Sequence, residues 1–154
     1  MNHRRRAAAI GAVIAGLAGL AACAKPTPNT TVTAGSDTVS SEAVCYRENG
    51  RLSDSELRSC LGKKPTETLE VTPGEQVRFG VDPTVAEHGW FLAINGRPAM
   101  DPVHQTYRSF NGESFFSDAQ GGRRADEARV TLIEAAGQEG GSRGVWTFTL
   151  KLTG

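Results

Sequence analysis

One mostly-β domain, a β-sandwich carrying a single short helix, is what the sequence predicts, and three observations predict it. Short runs of alternating apolar and polar residues recur along the chain, separated by Gly and Pro. Only one segment, opening at Ser53, combines a helix start signal with a helical apolar face. The 154 residues allow one core and little more. Two amphipathic sheets must then bury their apolar faces against each other, since either alone leaves one side wet.

The elements follow in order. Residues 1–22 hold Arg4, Arg5 and Arg6, then an uncharged stretch from Ala7 to Ala22. That stretch is short for a membrane span, which takes about 20 apolar residues, and it fits the basic head and apolar middle of a secretory signal. The paired arginines also suit twin-arginine export, but the rest of that motif is missing after Arg6. Leu20-Ala21-Ala22-Cys23 resembles the bacterial lipobox. The resemblance implies a diacylglyceryl group on Cys23, cleavage before it, and an anchor of two acyl chains, stable where one is marginal. Removing residues 1–22 takes three Arg and no acid, leaving 14 basic and 17 acidic side chains. A body of net charge −3 has no electrostatic hold on anionic lipid, so the lipid must do the anchoring. Residues 23–29, with Pro26 and Pro28, read as the lipidated Cys and a short stiff spacer that lets the domain stand off the surface. The β-sandwich domain is placed at 30–154.

Thr30–Ala34 is β-branched and strand-like, Gly35-Ser36-Asp37 is a turn, and Thr38–Tyr46 reads as one second strand. Ser53-Asp54-Ser55-Glu56 is a capping box. Leu57, Cys60 and Leu61 share the following helical face, and Gly62 supplies a stop. With Cys23 lipidated, Cys45 and Cys60 remain, and outside the cytoplasm such a pair becomes a disulfide. The rival is a metal or redox pair, but the spacing is not Cys-x-x-Cys and no His lies between them. The helix is therefore expected to be stapled to the strand that ends at Cys45.

Leu69 and Val71 precede the turn pair Pro73-Gly74, and Val77, Phe79 and Val81 then alternate with polar or small residues. Trp90–Ile94 is apolar on both faces, as in a central strand. Asn95-Gly96 is a hairpin signal, and Pro98 makes the return strand short or peripheral. Gln105–Phe110 is a further strand with Tyr107 and Phe110 as anchors. Gly112–Asp126 reads as a polar loop with one apolar plug. Along a strand only one of Phe115 and Phe116 would face inward, leaving the other as a contact point, unless the loop folds over both. Arg129–Ala135 alternates again through Val130 and Leu132. After the Gly-rich run Gly137–Gly144, Trp146, Phe148, Leu150 and Leu152 face one way. Phe79, Trp90, Trp146 and Phe148 are assigned to the core.

Several stretches carry a wider resemblance: Lys25-Pro26-Thr27-Pro28, Ser41-Glu42-Ala43 with Cys45-Tyr46, Leu52-Ser53 to Cys60-Leu61, Val77-Arg78-Phe79-Gly80-Val81-Asp82-Pro83, Gly89-Trp90, Asn95-Gly96 and Asp101-Pro102. Through them the chain resembles a family of small uncharacterised actinobacterial lipoproteins, which has no agreed activity and so implies no functional residue. Pro73 to Phe79 also resembles the first strand of cupredoxin-like domains. The expected architecture is an Ig-like or cupredoxin-like β-sandwich, a statement about fold alone.

Composition and motifs then narrow the function. Lys plus Arg equals Asp plus Glu, 17 against 17, so no net positive field exists to collect nucleic-acid phosphates. A blue-copper site needs two His, a Cys thiolate and an axial Met, and Gly137–Gly144, where such ligands would cluster before the last strand, holds none of them. A soft Cu(I) site from His88, Met100 and His104 is the weaker metal alternative. No Gly-x-Ser-x-Gly elbow and no phosphate loop occur. Glu87 and Asp101 supply a carboxylate pair of the kind any acidic surface offers. The sequence therefore predicts a lipid-anchored extracytoplasmic envelope protein at the cell membrane, not an enzyme, with no cofactor beyond the lipid on Cys23. Its loops Glu87–Trp90, Asn95–His104 and Gly112–Arg124 would meet an envelope partner. The alternative is a small-ligand or copper-binding lipoprotein, and a third reading is a cell-wall hydrolase.

Overall fold

The alternating runs become two sheets facing one another across one core. In a computed structural model of the chain, residues 26–117, 124–137 and 140–154 are described. The expected signal segment 1–22, Cys23, residues 24 and 25, and 118–123 of the Gly112–Arg124 loop lie outside them. In chain order the elements are β1 (Asn29–Ala34), β2 (Asp37–Glu42), β3 (Cys45–Tyr46), α1 (Asp54–Gly62), β4 (Glu67–Val71), β5 (Gln76–Val81), α2 (Pro83–His88), β6 (Trp90–Ile94), β7 (Arg97–Pro98), β8 (Tyr107–Asn111), a 3-10 turn (Gly112–Phe115), β9 (Glu127–Ala135) and β10 (Ser142–Leu152).

One sheet has the order β2-β1-β5-β8 and is antiparallel throughout. The other runs β3-β10-β9-β6-β7, with β4 lying parallel to the second half of β10. The period-two pattern sends Val32, Val77 and Phe79 from the first sheet against Leu92, Val130, Leu132, Trp146, Phe148 and Leu150 from the second. Phe79, Trp90, Trp146 and Phe148 are all fully buried, as expected of core aromatics. On one side the sandwich is closed by β2 packing on β4. On the other side stand β8 and the two-residue β7.

Asn95 and Gly96 take φ of 49° and 81°, so both central residues of the β6–β7 turn sit in the left-handed region that a tight hairpin requires. Pro98 ends the return strand after one further residue because it has no N–H for the ladder. Helix α1 carries the full capping box: Ser53 Oγ accepts from the Glu56 amide at 3.3 Å, and the Glu56 carboxylate accepts from the Ser53 amide at 2.8 Å. Its last turn contains no basic residue. Arg129 of β9 takes that role, donating to the carbonyl of Leu61 at 2.6 Å and to that of Lys63.

Cys60, on the buried face of α1, is bonded to Cys45 at the start of β3, with a Cα–Cα distance of 5.9 Å. The bridge closes a sequence separation of 15 residues. Replacing both cysteines by Ala should therefore lower the unfolding free energy by about 3 kcal/mol, read by urea unfolding against the oxidised chain. A loss under about 1 kcal/mol would mean that Arg129 and the packing of Leu52 on Val145 already hold α1.

Three expectations need correction. Thr38–Tyr46 is two strands in different sheets, because the chain leaves the first sheet at Ala43, whose amide binds the Thr27 hydroxyl at 3.1 Å instead of a neighbouring strand. A second helix, α2, follows Asp82, with Pro83 at its first position, where a missing N–H costs nothing. Tyr107 is 54% exposed, and Phe110 alone anchors β8 through the ring of Phe79, 5.9 Å away. Phe115 and Phe116 are both buried, the outcome expected if the loop folds over both, with Phe115 ending the 3-10 turn and Phe116 capping it.

Candidate functional site

A core-facing acid marks one end of the sandwich. In β9 the inward positions are Ala128, Val130, Leu132 and then Glu134, whose side chain is fully buried. Gly144 lies opposite Glu134 in the β9–β10 register. A Cβ at Gly144 would stand 2.5 Å from the Trp146 ring and 3.0 Å from Glu134 Oε2, so the glycine makes room for both. The bulge between Ser142 and Gly144 sets Arg143 out of the regular register.

Three charged or ionisable groups meet there. His88, at the end of α2, places Nδ1 2.8 Å from Glu134 Oε1. Arg143 places Nη1 2.9 Å from His88 Nε2. A guanidinium can only donate, so Nε2 is an acceptor and the ring proton sits on Nδ1, donated to Glu134. Arg143 Nε lies 3.9 Å from the same carboxylate oxygen, and Nη2 donates to the Glu48 carbonyl. Burial pushes the Glu134 carboxyl above its ordinary range, while the His88 hydrogen bond and the Arg143 charge pull it back. Glu134 Oε2 and Arg143 Nε are buried with no hydrogen-bond partner among the described residues.

The N-terminal segment walls this end. The Trp146 indole donates to the Pro28 carbonyl at 3.0 Å, and the Asn29 amide donates to Asp82 at 2.8 Å. With the Thr27 contact at Ala43, residues 27–29 are fastened to the body and do not form a free spacer. Pro26–Asn29, Tyr46, Asp82, His88 and Arg143 line a cavity of about 690 Å³. Both ring nitrogens of the neutral His88 are engaged, and the charge along this cavity comes from Arg143, Glu42, Glu48 and Asp82.

A second cavity, of about 550 Å³, opens at the other end of β6, between the edge strands β7 and β8. Its floor is Leu92, Ile94, Met100, Phe110 and Phe115, and its rim includes Arg97, Ser114 and Ser117. Both volumes fall within the range typical of small-ligand sites.

The structure disperses the residues weighed for metal. His88 lines the first cavity, Met100 the second, and His104 neither. His104 Nδ1 instead lies 3.1 Å from the Ala86 carbonyl and 3.3 Å from that of Glu87, closing the end of α2, with its ring over Gly89. Among the described residues no group of three or more His, Cys, Asp or Glu gathers in a metal-binding arrangement. Glu87 and Asp101 are exposed and line neither of these two cavities. Glu134 and Arg143 were missed by the sequence reading. An acid at the next inward position of a period-two strand is the signal that could have found the first, since such a position buries it. No helix among the described residues is long and apolar enough to cross a membrane. Compared with protein families, curated proteins and solved structures, the chain gives no match.

Proposed function

We propose that the chain is a lipid-anchored protein of the extracytoplasmic face of the cell membrane, of the small actinobacterial lipoprotein kind, and that its sandwich acts by binding and carries out no reaction. The observation that carries the second part is the saturation of His88. The charged constellation that resembles a base and its orienting carboxylate has both ring nitrogens engaged, by Glu134 and by Arg143. A general base needs a nitrogen within reach of the proton it removes. Loops Glu87–Trp90 and Asn95–His104 flank the two cavities and are the surfaces we assign to an envelope partner or ligand.

The anchoring part rests on the basic head, the apolar middle and the lipobox-like Leu20-Ala21-Ala22-Cys23. The fastened segment adds geometry to it. Only Ala24 and Lys25 separate Cys23 from Pro26, a reach of roughly 10 Å when extended. A lipid on Cys23 would therefore hold the walled end of the sandwich close to the bilayer. Fractionation of cells expressing wild type and Cys23→Ser tests this. The wild-type chain should enter the detergent phase with a mass matching a diacylated Cys23, and the variant should be unprocessed or released in soluble form. A cleaved variant that stays as membrane-bound as wild type would remove the lipid from the account.

A further inference from the structure

We propose that the cleft between β7 and β8 binds a single-chain anionic amphiphile, its hydrocarbon against Leu92, Ile94, Met100, Phe110 and Phe115 and its head against Arg97. This rests on the reading that the chain acts by binding, and it names the ligand class.

The cleft exists because the sandwich is left open on this side. Pro98 stops β7 after two residues, so the larger sheet ends in a stub, while the smaller sheet ends at β8. Between these edges core side chains reach the opening. Ile94, Met100 and Phe110 are only half-buried although packed against the main core. Below them Phe79, Phe110 and Phe115 form a ring cluster with centroids 5.9–6.0 Å apart, which fixes the floor. Apolar surface inside a concave, pre-formed site favours an apolar guest of matching section.

Charge selects the class of guest. Among the described residues Arg97 is the one charged residue lining the cleft, and no acid lines it. Its side chain makes no ion pair or hydrogen bond among the described residues. Beside it Asn95, Ser114 and Ser117 offer polar groups at the same rim. A hydrocarbon floor beneath one uncompensated guanidinium matches a chain ending in a carboxylate or phosphate, because a guanidinium pairs such a group through two parallel hydrogen bonds. The charged constellation of His88, Glu134 and Arg143 lies at the far end of β6, where Trp90 pairs with Glu134, so the two sites are separate.

The test is calorimetric titration of the mature lipidated protein in phosphatidylcholine nanodiscs with octanoate, decanoate and decanol. Decanoate should bind saturably, one per chain, and about fifteenfold more tightly than octanoate, since each buried methylene is worth roughly a factor of four. Arg97→Gln should weaken decanoate about tenfold and leave decanol unchanged. Ala99→Trp, at an exposed rim position, should abolish both. No saturable binding, equal affinity for octanoate and decanoate, or an Arg97→Gln variant that binds decanoate as wild type does would each overturn the site. The same titration on the Cys23→Ser chain in detergent-free buffer should give the same affinity. The cleft is thereby scored separately from the anchor, and a decanoyl ester recovered cleaved after incubation would overturn the non-catalytic reading while leaving the site in place.

Discussion

Glu134→Ala should lower the unfolding free energy by about 3–5 kcal/mol in urea at neutral pH. The residue is fully buried, and its Oε1 accepts from His88 while lying 3.9 Å from Arg143 Nε. Truncation leaves the His88 Nδ1–H without its acceptor and removes the carboxylate charge beside a largely buried guanidinium, and removing one partner of such a group costs far more than the group contributes net. Glu134→Gln separates charge from hydrogen bonding. Its amide oxygen still accepts from His88, so the loss should be about 1 kcal/mol. The two variants also differ in pH dependence. Burial raises the folded-state pKa of Glu134 above its ordinary value of 4.5. A carboxyl raised in this way stabilises the fold most while protonated, and that contribution is lost as pH rises from the ordinary value through the raised one. The stability of wild type relative to Glu134→Gln should therefore fall across that window. A difference that rises with pH would mean that His88 and Arg143 outweigh burial.

Glu134 also shows where the sequence is readable and where it is not. Patterns that depend on near neighbours came through intact. The capping box at Ser53, the Asn95-Gly96 turn, the alternation from Trp146 to Leu152 and the Cys45–Cys60 pair all express local geometry or simple count. Features set by partners distant in the chain did not. Glu134, His88 and Arg143 are brought together by register between strands and the end of a six-residue helix, a length too short for periodicity to reveal. The break within Thr38–Tyr46 depends on Thr27 taking the Ala43 amide, 16 residues away. The 3-10 turn Gly112–Phe115 looks like a polar loop in composition. The cleft has a legible cause, Pro98 after the hairpin. Its contents do not, since Phe110 and Phe115 come from elements whose placement beside β7 is a property of the whole sandwich.

Trp146→Ala should destabilise the chain by about 3–5 kcal/mol, the usual cost of removing a fully buried indole from a core that cannot close over the gap. Gly144 holds the space for that ring, and Tyr46 packs against it with centroids 6.3 Å apart. Trp146→Phe is the more informative change. It keeps most of the apolar contact and removes the donor that holds the Pro28 carbonyl. The expected loss is about 1 kcal/mol globally, with a larger local effect on residues 26–29. Amide hydrogen exchange reads this directly. The Ala43 amide is protected by Thr27 and the Asn29 amide by Asp82, so both should exchange faster in Trp146→Phe while amides of β9 and β10 keep their rates. Unchanged exchange at Ala43 would show that the Thr27 and Asp82 contacts suffice to fasten the segment. Faster exchange would identify one core side chain as the link between the packing of the sandwich and the position of the residues that follow Cys23. With the lipid proposed on Cys23, that link would set orientation, because a fastened segment transmits the direction of the tether to the whole body and a free one does not.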